Sequence, residues 1–321
     1  MSGLQAALKR GGVLAGAFDW RRNILYIAFV VLLITFSAVL GDQGFTSSNN
    51  LLNIVRQTAI ISVMAVAVTF VIGAGEIDLS VGAVAGLASV VAAMAIDAYG
   101  VVPGIMAGVL LGVVVGSING ALLVVVGIPS FLVTLAMLGI AHGTAQWITN
   151  SAPQPILSDS FNNIFGSGDL GPIPSLVVWT AVAVAIGHVL LRRAPYGRNV
   201  LATGGNEEAA RFSGVPTKRI KFMVMVGSAT VAAVAGMLYA GRLQSGRFQW
   251  GEGDELSVIA AVILGGTSLF GGTASVIGTL FGSLLIGVIN NGLILMGLEF
   301  SQQQIIRGAI ILLAVALVTR D

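Results

Sequence analysis

Apolar runs broken by short polar stretches repeat along the whole chain. Runs near 24–40, 51–72, 80–97, 104–126, 130–149, 174–191, 222–241, 256–271, 275–296 and 302–318 reach or approach the ~20 residues that a helix needs to cross a bilayer core. The pattern predicts about ten transmembrane helices. Between the second and third runs, Gly73–Ser80 (GAGEIDLS) interrupts a nearly continuous apolar region. One of these two helices is therefore expected to be broken or re-entrant.

Composition strengthens this reading. The 321 residues are 56% hydrophobic and only 9% charged, and mean hydropathy is +0.95. A soluble domain is about half apolar and a quarter charged. The fold class is an all-α polytopic membrane protein. The chain has 43 glycines, as expected where helices approach closely in lipid. There is no cysteine, so disulfides and thiolate metal sites drop out. A net charge of +2 does not suggest nucleic acid.

The basic residues indicate sidedness. The polar leader 1–23 holds Lys9, Arg10, Arg21 and Arg22. No cleavage site follows, so the leader is expected to stay, on the cytoplasmic side. The island 192–221 holds seven of the 16 Lys and Arg residues and two acids. Six spans from a cytoplasmic N-terminus return the chain to the cytoplasm at Arg192. The loop 150–173 then falls outside, and it contains no Lys or Arg. Ten spans bring Arg320 and Asp321 back inside. Residues 24–319 form a single membrane domain in this reading.

Two segments echo each other. Gly116-Ser-Ile-Asn119-Gly120-Ala-Leu-Leu resembles Gly287-Val-Ile-Asn-Asn291-Gly292-Leu-Ile-Leu. They lie five spans apart and so point in opposite directions. This is the mark of an inverted repeat, with a substrate route near the interface of the halves. The alternative is coincidence between two low-complexity apolar stretches. Gly104, Gly108, Gly112, Gly116 and Gly120 recur every fourth residue and predict a close helix–helix seam.

Enzymatic chemistry finds little support. The glycine-rich stretch Gly265–Thr273 lacks the Lys-Ser/Thr that a phosphate loop needs, and reads as a tight turn. His142 and His188 are isolated, so no metal site is expected. No serine-hydrolase elbow and no cofactor motif is visible. Glu76, Asp78, Arg56 and Arg307 lie within or beside apolar runs, where charge is costly. Arg56 reads as an interface or ion-pair residue. Asp78 reads either as a group on a route or as a packing device. Glu252, Asp254 and Glu255 read as a solvated outer loop. No span carries the run of acids expected of a proton or sodium path. An uncharged polar solute would want small polar groups and an aromatic ring. Asn119, Thr134, Gln146, Trp147, Asn290 and Asn291 are candidates, with Asp78 beside them.

Several motifs converge on one family. They are GEIDLSVG (75–82), NGALLVVVGIPSFLVTL (119–135), YGRNVLATGGNEEAARFSG (196–214), AAVILGGTSLFGG (260–272) and NNGL (290–293). From about Ile24 to Thr319 the chain resembles the permease family of bacterial ABC monosaccharide importers, of the ribose, xylose, arabinose and galactofuranose type. The resemblance implies about ten helices in the vitamin-B12-permease-like (type II) arrangement, in a bacterial inner membrane. It also implies a second permease copy, a separate cytoplasmic ATPase and an extracytoplasmic sugar-binding protein. Asn206–Gly214 is similar to the EAA signature, a short coupling helix that sits in a cleft of the ATPase. Carried over by position, Glu207 or Glu208 makes that contact with Ala209, Ala210 and Gly214. Arg211 and Lys218 add charge complementarity, while Lys218–Lys221 is expected to anchor its helix at the inner surface. The residues suit the role independently. Acids favour a helix N-terminus, the alanines allow close docking, and Gly214 can end the helix before Pro216. Rival readings are a permease of the same family for a nucleoside or other small polar solute, and a stand-alone secondary carrier. The carrier has no need of an EAA-like segment.

Overall fold

The computed structural model describes residues 20–318, so the leader up to residue 19 and the tail from Thr319 lie outside it. The long helices are α1 (Trp20–Leu40), α2 (Ser48–Gly73), α3 (Val81–Tyr99), α4 (Val101–Ala121) and α5 (Ser130–Thr149). After a short helix α6 (Asp159–Asn162) come α7 (Ser175–Arg192), α8 (Pro195–Gly205), α9 (Glu207–Phe212) and α10 (Thr217–Leu243). The chain closes with α11 (Asp254–Leu264), α12 (Val276–Leu295) and α13 (Phe300–Val318). Eight of the described helices are long and apolar enough to cross a membrane. Arg21 and Arg22, assigned to the leader, already belong to the first turn of α1. Arg307 falls in α13, and its side chain lies outside the description.

Local chemistry sets the boundaries. Ser47 caps α2 by accepting from Asn50 N–H at 3.2 Å, and Ser275 caps α12 by accepting from Gly278 N–H at 3.0 Å. Pro195 opens α8, where its missing N–H costs nothing. The end of α4 widens into a π turn at Leu122–Val126. Two small antiparallel pairings, Gln154–Pro155 with Ser245–Gly246 and Asp169–Leu170 with Ile173–Pro174, tie down the loop 150–173. That loop is packed despite its polar sequence. Phe161 and Phe165 are buried and stack at 4.7 Å, against Trp179 of α7.

The core lies between α2, α3, α10 and α12. The outward faces of α1, α4, α5 and α7 expose Ile34, Leu110, Ile140 and Ile186, as expected where the surrounding solvent is lipid. The glycine seam of α4 is real. Gly112 and Gly116 bring its backbone onto Ala229 and Val226 of α10, where an added Cβ would meet Ala229 O at 2.7 Å and Val226 Cα at 2.6 Å. Gly278 and Gly282 do the same for α12 against Gly265 and Ala261. Hydroxyl pairs join α2 to α12 across the core: Ser62 with Ser283 at 2.6 Å, and Thr69 with Thr279 at 2.8 Å. Such bonds are worth little each in lipid. Ser283→Ala is expected to destabilise by about 0.6 kcal/mol, read as a small loss in a thermal melt of the detergent-solubilised protein.

Two crossings are discontinuous. After α2, the chain does not turn directly into α3. Residues Glu76–Ser80 climb beside α10 without helical structure. Glu76 lies at Lys221, Asp78 at Ser228, and Ala85 of α3 at Gly236. The interruption is therefore the non-helical first part of the third crossing, while α2 itself is continuous. The second case corrects the run predicted at 256–271. Its helix, α11, has 11 residues, about 16 Å, which is too short to cross. Gly265 and Gly266 end it, and Gly266 has φ +84°. Residues 246–253, just before α11, run along α3. Gly246 lies on Ser89 and Ala93, the Phe248 carbonyl on Gly86, and Gly251 on Gly82. The acids Glu252, Asp254 and Glu255, expected on a solvated loop, stand at this junction. The Asp254 carboxylate accepts from the Tyr239 hydroxyl at 2.5 Å.

Helix packing is reciprocal between the first and second halves of the chain. α2 packs on α11 and α12, and α10 packs on α3 and α4. α3 packs on α4 and α5, and α11 on α12 and α13. α2 and α10 run in opposite directions, since the Arg242 guanidinium donates to the Arg56 carbonyl at 3.4 Å. The sequence carries a second echo at the two discontinuities: Gly75-Glu-Ile-Asp78-Leu-Ser-Val and Gly251-Glu-Gly-Asp254-Glu-Leu-Ser-Val. The copies meet in space where Gly82 faces Gly251.

Candidate functional site

The segment Asn206–Gly214 forms a self-contained short helix on the basic end of the bundle. Asn206 accepts from Ala209 N–H at 2.9 Å, capping the start, and Glu207 and Glu208 occupy the first turn. At the other end, Val215 N–H bonds the Ala210 carbonyl and Gly214 N–H bonds the Arg211 carbonyl, both at 3.0 Å. That double closure needs a left-handed residue, and Gly214 has φ +85°. Glu207, Glu208, Ala209, Arg211 and Gly214 are exposed, while Ala210 is buried. The two alanines thus divide their work: Ala210 seats the helix and Ala209 faces outward. Phe212 is 80% exposed, with the Arg211 guanidinium 5.8 Å from its ring centre. Its exposure went unremarked in the sequence, although an aromatic residue inside a charged loop was a visible signal.

This helix rests on a close-packed base. Within α8, Tyr196 stacks on Phe70 of α2 at 5.9 Å, and burial pushes its phenol up to about 12. The Gly204 backbone lies on Gly73 and on Gly272 of the α11–α12 turn, and Gly272 N–H bonds the Gly73 carbonyl at 3.1 Å. The Gly265–Thr273 stretch is a turn, as its sequence indicates, and it is seated directly under α8.

Lys221 differs from its sequence assignment. It does not reach outward to anchor α10. Its side chain is 18% exposed and turns to two carboxylates, Glu76 at 2.7 Å and Glu207 at 2.6 Å. Burial raises the Glu207 carboxyl, but the Lys221 bond and charge, helped by Thr217 and Arg211, hold it below its ordinary value.

Three of the predicted route residues come together. Asp78 Oδ1 accepts from Ser80 N–H at 2.9 Å and from the Ser80 hydroxyl at 2.6 Å. The Asn119 amide donates to the Ser80 hydroxyl oxygen at 3.2 Å. Thr134 Oγ1 accepts from Leu79 N–H, and Ser130 Oγ from Ile77 N–H, both at 3.1 Å. Asp78, Asn119 and Thr134 are all at most 1% exposed. Their bonds stand in for the helical hydrogen bonds that residues 76–80 lack. The other candidates lie elsewhere. Asn291 forms a reciprocal amide pair with Asn50 at 2.8 and 2.9 Å, and Asn290 is buried next to it in sequence. Gln146 contacts His142 at 3.2 Å, and Trp147 is 80% exposed on α5. Arg56 pairs with Asp169 at 3.1 Å. Among the described residues no group of three or more His, Cys, Asp or Glu is placed to hold a metal.

A family model described as "Branched-chain amino acid transport system / permease component" matches residues 50–315. The ribose import permease protein of Bacillus subtilis is 40% identical over 294 residues, which is 91% of this chain and 91% of that protein. The L-arabinose ABC transporter permease protein of Azospirillum brasilense is 37% identical over 314 residues, covering 96% and 90%. The ribose import permease protein of Escherichia coli is 36% identical over 294 residues, covering 90% and 91%. No solved structure matches the chain.

Proposed function

Since this chain belongs to the branched-chain amino acid transport system / permease component family, we propose that it is the membrane-spanning permease of an ABC importer for a monosaccharide. The permease moves its solute by alternating access and performs no chemistry. ATP is hydrolysed on a separate cytoplasmic subunit, and the solute arrives on an extracytoplasmic binding protein. The observation that carries this reading is α9, a capped, exposed helix seated on α8 and α10. Its exposed face, Glu207, Glu208, Ala209, Arg211 and Phe212, offers charge and one aromatic anchor to an ATPase cleft.

The remaining assignments follow from the same premise. The end bearing residues 192–221 faces the cytoplasm with the N-terminal leader, and the packed loop 150–173 faces outward. Residues 24–319 form one domain of about ten crossings in the type II arrangement, and two copies assemble in the bacterial inner membrane. Asp78, Asn119 and Thr134 act as the clamp of a broken crossing beside the route. Gln146 and Trp147 are the route candidates open to a solute or to the second copy, and Asn290 and Asn291 lie towards the same outward end, where Asn291 pairs with Asn50. A pentose is the expected cargo, because the relatives named above import ribose and arabinose.

The test is reconstitution of the permease with its ATPase and binding protein in liposomes. ATP-dependent uptake of ribose, xylose or arabinose is the expected result, with no ATP hydrolysis by the permease alone. Uptake of a nucleoside or of leucine in place of every sugar would replace the cargo assignment. Uptake without the ATPase subunit would replace the transporter class.

A further inference from the structure

The charged group Glu76–Lys221–Glu207 joins three segments that no backbone hydrogen bond links. Glu207 opens α9, Lys221 sits in the second turn of α10, and Glu76 begins the non-helical run of the third crossing. A single ammonium, with three donors, serves two carboxylates at 2.6 and 2.7 Å. Exposed ion pairs contribute little, but this group is graded in depth. The Glu76 side chain is 8% exposed, Lys221 18% and Glu207 46%. Its inner arm is therefore costly to break, because a lone partner would be left charged and buried. Beyond Glu76 the connection continues: Ile77 and Leu79 are held by Ser130 and Thr134 of α5, and Ser80 by Asn119 of α4.

We propose that Lys221 is a positioning residue that ties α9 to the broken crossing, so that displacement of α9 moves residues 76–80 together with α10. The covalent link through residues 213–216 leads from α9 to α10 alone. The ion-pair group adds the second output. This inference rests on the reading of α9 as the ATPase contact.

The complete transporter tests it. Lys221→Met with Glu76→Gln removes the inner pair without stranding a charge. This double variant is expected to fold, to co-purify with the ATPase and to keep basal hydrolysis. Stimulation of hydrolysis by ribose-loaded binding protein is expected to fall about tenfold, as for loss of an interaction used only in turnover. Lys221→Arg, which keeps the charge, is expected to restore most of it. Wild-type stimulation in the assembled double variant would overturn the tie, as would a Lys221→Arg variant as inactive as Lys221→Met. Should the double variant not fold, Glu76→Gln alone, which leaves Lys221 its Glu207 partner and lies outside the ATPase-facing surface, gives the same readout: reduced stimulation supports the tie and unchanged stimulation overturns it. Ala209→Glu separates the premise from the inference. Normal stimulation in that variant defeats the reading of α9 itself, whereas loss there with an unaffected double variant defeats the tie alone.

Discussion

Gly236→Val leaves little folded permease in the membrane. Gly236 lies on α10 where the backbone of α3 passes closest, and an added Cβ would fall well inside contact distance of the Ala85 carbonyl. The obstacle is backbone, so no rotamer relieves it. Ordinary overpacking costs about 1–3 kcal/mol, and a clash between two helix backbones exceeds that range. α3 would have to move off α10, taking Gly82 away from Gly251 and Gly86 away from Phe248. The measurement is the monodisperse fraction on size-exclusion after mild solubilisation. Gly227→Val is the control, on the same helix with nothing within 4 Å of an added Cβ. It should elute as wild type, and equal loss in both variants would refute the close-approach argument.

Ala209→Glu inserts normally and abolishes transport. Ala209 is exposed, and only its backbone is engaged, by Asn206 and Ser213. The fold therefore has no reason to respond. A partner closing over α9 would have to desolvate the new carboxylate, at several kcal/mol. Each 1.4 kcal/mol is a factor of about ten, so uptake should fall about a hundredfold or more. Ala210→Glu is the contrast. Ala210 is 6% exposed, so this change should damage the seating of α9 and reduce folded protein as well. Wild-type uptake by a correctly inserted Ala209→Glu variant would remove α9 from the coupling role. Gly214→Arg should resemble Ala209→Glu, with added strain from its left-handed backbone.

Much of the architecture is legible in the sequence because lipid imposes a simple rule: a crossing must be long, apolar and satisfied within itself. Most apolar runs coincide with long helices, and the glycine stripe on α4 marks a real seam. The rule fails at α11. There an apolar run includes a turn, and residues 246–253 before the helix look like a polar loop yet pack on α3. Such a segment can enter the bundle only because α3 covers it, which is a tertiary fact. A further signal lies at the two interruptions: the Gly-Glu-x-Asp of 75–78 recurs at 251–254, followed by Leu-Ser-Val directly in the first copy and after Glu255 in the second. The Asn206 cap is added by the structure, but helix α9 was legible from its likeness to the EAA signature, with acids at its start and Gly214 before Pro216 at its end. Lys221 was not. Near a helix start, a lysine reads as an interface anchor, and its two acidic partners lie in separate segments. The same holds for Thr134 and Ser130, whose hydroxyls compensate the backbone of a distant stretch.

The contact between Gly82 and Gly251 has a mechanical consequence. The two backbones meet directly, with the Glu255 carboxylate beside them, so the contact leaves no room for a side chain on either glycine. Separation or lengthwise sliding is opposed by the seams that hold α3 on α10 and α11 on α12. A side chain at either glycine would meet backbone, as at Gly236, and would force apart the two places where the interrupted segments join their helices.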